Sequence, residues 1–174
     1  MSFEQDLQQS VSGVAEAVAP SVVRIGRGPG RGAGFVVGDG AVLTNAHNIR
    51  GAETTVTFRD GRREVGSVAA VDVDGDLAVV RVDTSRVPAV RWHDGEVTLG
   101  SPVFAVTVPA GSETRITVGT VSSVGRTFRG PRGRRIEGGV EHTAPLARGS
   151  SGSPVAGGTP APPCRVRLNS ATGV

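Results

Sequence analysis

The chain has 174 residues, a formal net charge of +3 at pH 7, 37% hydrophobic and 20% charged residues. That is enough to bury one core, or two small packed halves, without metal or disulfide support, and the apolar share excludes a disordered chain. The single cysteine, Cys164, excludes an internal disulfide and a cysteine-built zinc centre. All 19 basic residues are Arg, and Lys and Tyr are absent. The isoelectric point of 10.8 therefore reports missing alkaline buffers rather than a strong positive field. No apolar run approaches the ~20 residues that span a bilayer. Met1–Ser10 carries Glu4, Asp6 and three Gln, unlike a secretory leader, so cytoplasmic residence is the default expectation.

In chain order, the first twenty residues predict a helix. Phe3, Leu7, Val11, Val14 and Val18 recur at helical spacing, Ser2 and Gln5 form a capping-box pair, and Pro20 marks the end. Short Val-rich runs punctuated by Gly follow, and β-branched side chains suit a pleated surface. The runs predict strands at Ser21–Gly26, Gly34–Val37, Ala41–Asn45, Thr54–Arg59, Glu64–Val71, Leu77–Val82, Pro102–Val108, Ile116–Val124, Gly139–Thr143 and Arg165–Asn169. Gly38-Asp39-Gly40 and Asp60-Gly61 read as hairpin turns. Closely spaced short strands of this kind predict an all-β barrel or sandwich. The strand-poor stretch from Val82 to Gly100, with Pro88 and Trp92, is the expected connection between two halves. The expected organisation is a helix over 1–20, a first barrel over 21–85, a connection over 86–101 and a second barrel over 102–174.

Several motifs fail on context. Gly28–Gly34 looks like a phosphate-cradling loop but leads into another strand rather than a helix, and a P-loop needs a Lys. Asp72, Asp74 and Asp76 alternate like a calcium loop, but Leu77 and Asp83 stand where such a loop wants Gly and Glu. Arg126–Arg135 holds five Arg. It lacks a stacking surface beyond Phe128 and reads as a solvated loop joining two strands, so no nucleic-acid partner is expected. A steep salt dependence of binding would argue otherwise. Cys164 has no His in a local signature and reads as a passive thiol.

Three pieces remain: Leu43-Thr44-Asn45-Ala46-His47, Asp76-Leu77-Ala78-Val79-Val80, and Gly149-Ser150-Ser151-Gly152-Ser153-Pro154. Each alone is weak. Together, on an all-β chain, the order His, Asp, Ser matches one known arrangement of a hydrolytic triad. A serine hydroxyl is a poor nucleophile at neutral pH and needs an adjacent base. His47 is the candidate base, Asp76 the group that orients it, and Ser151 the nucleophile. The backbone N–H groups of Gly149 and Ser151 are the candidate oxyanion donors. Asp60, Asp72 and Asp74 are weaker candidates, because only Asp76 opens the Leu-Ala-Val-Val run. His93 and His142 read as surface or loop residues.

These segments resemble the protease domain of the HtrA/Deg family of trypsin-like serine proteases. Gly32-Ala33-Gly34-Phe35-Val36-Val37, the His47 and Asp76 segments, Val118–Arg126 and Gly149–Pro154 are similar to that family's motifs in order and spacing, from about Val14 to Val155. The resemblance implies two six-stranded antiparallel β-barrels of trypsin-like type and serine endopeptidase action through an acyl-enzyme. It also implies no cofactor or metal, and polypeptide substrates in unfolded or extended form. The same resemblance implies trimer formation and residence in the cell envelope as alternatives. The Arg126–Gly138 loop would lie among loops that regulate the site in that family.

The chain also departs from the pattern. Ser150 and Ser153 replace Asn and Gly, and Thr143 and Ala147 stand where Asp and Asn are usual. After Val155 the family pattern calls for two more strands. Arg165–Ser170 resembles a degenerate version of the first, and the prolines of Pro160–Pro163 cannot sit in a central strand. The second barrel is therefore expected to be incomplete and activity reduced. The alternative function is a non-catalytic protease-like domain that binds peptide or a partner protein.

Overall fold

The computed structural model describes residues 2–27, 32–91, 96–108, 113–129, 135–157 and 165–168. Helix α1 spans Phe3–Val18. The Ser2 hydroxyl accepts from the Gln5 N–H at 3.3 Å and Gln5 Oε1 accepts from the Ser2 N–H at 3.0 Å, completing the capping box. A single 3-10 turn over Ala19–Ser21, carrying Pro20, then swings the chain into the first strand.

Six strands form the first half: β1 (Val22–Ile25), β2 (Gly32–Gly38), β3 (Ala41–Thr44), β4 (Glu53–Thr57), β5 (Arg63–Asp72) and β6 (Leu77–Arg81). They close into an antiparallel barrel in the order β1-β2-β3-β6-β5-β4. Val22 opposes Phe35 across β1 and β2, Leu43 opposes Val79 across β3 and β6, and Ile25 opposes Val56 where β1 meets β4. Val23, Ile25, Val36, Val42, Val56, Phe58 and Val80 fill the interior. Burying each such side chain is worth about 1.5–3 kcal/mol, and closure leaves no unpaired edge.

The second half contains β7 (Pro102–Thr107), β8 (Arg115–Arg129), β9 (Arg135–His142), β10 (Pro154–Gly157) and β11 (Arg165–Leu168). Among the described residues these form an open antiparallel sheet of five strands, order β11-β10-β7-β8-β9, beside the closed barrel. The incomplete second barrel is thus an observed feature of the all-β fold. Strand β11 pairs with β10, Val155 opposite Arg167. The prolines at 160–163 lie outside the described residues.

Two sequence expectations need correction. Strand β10 was not foreseen: it begins at Pro154 and contains Ala and Gly, and burial rather than β propensity holds it, with Ala156 fully buried. In the expected loop over Arg126–Arg135, the described residues are instead strand. Strand β8 runs on to Arg129 and β9 starts at Arg135, with Phe128 opposite Ile136. Gly125 and Gly138, at φ 69° and 71°, flank register shifts in this ladder, where the extra residues of bulges strengthen the twist. Only residues 130–134 of the stretch fall outside the description.

The halves share a core. Val14 and Val18 of α1 pack with Phe35 of β2 and with Phe104, Val106 and Ala156 of β7 and β10. Helix α1 thus binds barrel and sheet to each other. Among the described residues no helix is long and apolar enough to cross a membrane.

Candidate active site

His47 and Asp76 lie at the rim of the closed barrel. After β3 the chain enters a single 3-10 turn, Ala46–Asn48, which carries His47. Asp76 is the residue before β6 and sits in the left-handed region at φ 55°, a conformation that Asp tolerates better than most residues. Three donors fix it there. The Ala46 N–H and Asn45 Nδ2 donate to its backbone carbonyl at 3.1 and 3.0 Å, and the His47 N–H donates to Oδ1 at 3.0 Å. Its carboxylate is nearly buried and meets the imidazole edge-on, Oδ2 lying 2.8 Å and Oδ1 3.1 Å from His47 Nδ1. A carboxylate only accepts, so the partners assign the proton to Nδ1 and leave Nε2 as the ring's acceptor.

Ser151 comes from the other half, in the connection between β9 and β10. Two consecutive turns build it. The Ser150 N–H donates to the Ala147 carbonyl at 3.2 Å, and the Ser153 N–H donates to the Ser150 carbonyl at 2.9 Å. The third residues of these turns are Gly149 and Gly152, at φ 84° and 88°, which makes both turns type II. The Ser150 hydroxyl reinforces the first by donating to the Ala147 carbonyl at 2.6 Å. Type I and type II turns differ by a flip of the middle peptide, so Gly149 sets the direction of its own N–H. Neither the Gly149 nor the Ser151 N–H donates to a backbone carbonyl among the described residues.

The turn docks on the first barrel. The Ser151 carbonyl accepts from the Ala33 N–H at 2.7 Å and from Asn48 Nδ2 at 2.9 Å. Gly152 backs onto β2 and β3 so closely that a Cβ there would overlap the Ala33 carbonyl oxygen. This docking brings Ser151 Oγ to 2.5 Å from His47 Nε2. Oγ also lies 3.1 Å from Asn45 Oδ1. His47, Asp76 and Ser151, 104 positions apart at their extremes, are therefore one hydrogen-bonded chain of acid, imidazole and hydroxyl.

The weaker candidates stand elsewhere. Asp72 Oδ1 accepts from the N–H groups of Asp74 and Gly75 and shapes the turn ahead of Asp76. Asp60 Oδ1 accepts from the Arg62 N–H in a hairpin turn. His142 ends β9, while His93 and Cys164 fall outside the described residues. No group of His, Cys, Asp and Glu among the described residues could hold a metal ion. Sequence reasoning missed Asn45 and Asn48 as contacts of Ser151. The only signal was their position, two amides flanking His47 where the barrel requires buried residues.

A closed antiparallel barrel beside a second antiparallel sheet, with carboxylate, imidazole and serine hydroxyl in line at their junction, defines a protein of the trypsin-like class. Residues 32–157 match the trypsin-like peptidase domain family. The chain belongs to that family and is similar to its HtrA-type members. Serine protease PepD of Mycobacterium tuberculosis is 35% identical over 134 residues, covering 67% of this chain and 29% of that protein. The structure of the HtrA-type protease AlgW with tripeptide superposes with a TM-score of 0.73 at 26% identity, over 85% of this chain and 50% of that one. Deg5 superposes with a TM-score of 0.71 at 27% identity, over 89% of this chain and 81% of that one. The chain spans about a quarter to a third of the length of the first curated relatives it matches.

Proposed function

We propose that this domain is a serine endopeptidase acting on extended polypeptide through an acyl-enzyme, with Ser151 as nucleophile, His47 as general base and Asp76 as its orienting partner. The observation that carries the reading is the unbroken chain from Asp76 Oδ2 to His47 Nδ1 at 2.8 Å and from His47 Nε2 to Ser151 Oγ at 2.5 Å. Nε2 takes the hydroxyl proton as Oγ adds to the scissile carbonyl carbon, and the carbonyl π pair moves onto oxygen. The Gly149 and Ser151 N–H groups serve as donors to that oxyanion, a type of contact whose loss costs about 100–1,000-fold in rate. The imidazolium, stabilised by Asp76, then gives its proton to the leaving amine as the C–N bond breaks. Water repeats the sequence on the acyl-enzyme, with His47 again as base and Oγ as leaving group. Every step uses groups of the chain and water alone.

A fluorophosphonate probe tests the assignment. It should label Ser151 and no other serine, and Ser151→Ala should remove both labelling and cleavage of an unfolded protein. Labelling that survives the substitution would refute the nucleophile. A protein that binds peptide but neither labels nor cleaves would be the non-catalytic relative instead.

A further inference from the structure

Resting on the catalytic reading above, we propose that Asn48 is a positioning residue: it holds the backbone of the nucleophile against the first barrel at a cost to folding stability. The residue follows His47 in the same 3-10 turn and is buried at 7% exposure. Both hydrogens of its amide are used. One goes to the Ser151 carbonyl at 2.9 Å and the other to Thr44 Oγ1 at 3.1 Å. Thr44 Oγ1 donates in turn to the Ala33 carbonyl at 2.6 Å, and the Ala33 N–H donates to the same Ser151 carbonyl at 2.7 Å. The nucleophile's carbonyl is thus gripped by two donors from the closed barrel, and those donors are themselves tied together through Thr44.

The other end of the amide makes the case for a role beyond packing. Asn48 Oδ1 is buried and has no hydrogen-bond partner among the described residues. A buried acceptor without a partner is destabilising, and an apolar side chain of the same size would avoid that loss. The geometry of the bonds made points to one beneficiary. Ser151 lies on the half whose sheet is open, while its base lies on the half whose barrel is closed. The hydroxyl must be kept within reach of Nε2 across that junction. The Asn48 bond spans 103 positions and acts on the peptide unit next to the reacting side chain. Gly32 leaves the amide the space it occupies, since a Cβ there would overlap it.

The test compares Asn48→Leu, which keeps the approximate shape and removes both polar atoms, with Asn48→Asp, which keeps the shape and turns the donor into an acceptor. Expected for Asn48→Leu is a kcat and a phosphonylation rate about 10–100-fold lower, as for a displacement approaching 1 Å. KM should stay within about twofold, with an unfolding midpoint equal to or above the parent's. Asn48→Asp should lose at least as much rate. An unchanged rate in Asn48→Leu overturns the proposal. So does a rise in KM alone, or a rate loss matched by a lower midpoint, which is what a purely structural residue would give. Amide 15N relaxation at Ser151 and Gly152 reads the clamp independently of catalysis and should report greater mobility in Asn48→Leu. Unchanged relaxation overturns the clamp. If the parent itself neither labels nor cleaves, the catalytic reading fails while this measurement still decides whether Asn48 fixes the turn.

Discussion

Gly152→Ala separates backbone strain from steric overlap in the turn that carries Ser151, with Gly61→Ala as the reference. Both glycines sit in turns at nearly the same conformation, φ 88° and 87°. The space around them differs. A Cβ at Gly61 meets nothing within 4 Å, whereas one at Gly152 would lie 2.7 Å from Thr44 Oγ1 and overlap the Ala33 carbonyl oxygen. Positive φ in an L-residue costs about 1–2 kcal/mol, so Gly61→Ala should lose that and no more. At Gly152 the backbone must also move away from β2, and such forced shifts cost a further ~1–3 kcal/mol. The expected loss is therefore about 2–5 kcal/mol, and the shift moves Ser151 away from His47. At ~1 Å of displacement the phosphonylation rate should fall about 100-fold, while Gly61→Ala should label at the parent's rate. Urea unfolding measures the stabilities, and equal slopes would certify that the midpoints report stability alone. If Gly152→Ala loses no more than Gly61→Ala, the close docking of the turn on Ala33 and Thr44 is not a constraint, and the reasoning fails.

Two further outcomes follow from the site and the surface. Asp76→Asn should keep the fold, because Asn also accepts the left-handed conformation at φ 55°, yet it should lower kcat on the order of 10,000-fold by favouring the wrong imidazole tautomer. A mild effect, seen alongside a large one at Asp72 or Asp74, would move the assignment. Asp83 is held below the ordinary carboxylate value by hydrogen bonds from Ser85, with smaller help from Arg62 and Arg86. A depressed carboxylate stabilises the fold above its unfolded value of ~3.9, and that contribution is lost as pH falls through the folded value. Side-chain NMR titration should give Asp83 a midpoint below that of a free Asp, and Ser85→Ala should raise it. A midpoint indifferent to Ser85 would refute the cause.

What the sequence disclosed followed the strength of each local signal. The barrel strands were legible because Val-rich runs such as Val22-Val23 and Val79-Val80 stand between turn residues and suit a pleated surface, and Val22, Val23 and Val80 are indeed buried. The helix was legible because Ser2 and Gln5 cap it and Val14 and Val18 recur on its buried side. Strand β10 was not, since Pro154 and Gly157 argue against a strand and only tertiary burial of Val155 and Ala156 selects it. The extension of β8 to Arg129 was hidden for a related reason. Its exposed residues carry no inside–outside alternation, and Gly125 reads as a break although it serves a bulge. At the site, the residue types of His47, Asp76 and Ser151 were readable from segment order. Their mutual distances, and the amides of Asn45 and Asn48 that touch Ser151, arise from packing two sheets whose contacting residues are more than a hundred positions apart.

That separation gives the domain a built-in delay. The closed barrel ends at Arg81, so its own pairings and the His47–Asp76 contact are available to the nascent chain early. Ser151 is synthesised later, by roughly 4–14 s at translation rates of about 5–20 residues per second. Its contacts with His47 and Asn48 also close loops of more than a hundred residues, which form slowly because chain entropy is lost before the contact rewards it. The helix at the N-terminus cannot shorten this wait, since its face needs Phe104, Val106 and Ala156 to be covered. During that interval His47 and Asp76 lack the Ser151 hydroxyl that completes their hydrogen-bonded chain. On the catalytic reading proposed above, docking of the second half and assembly of the triad are then a single event.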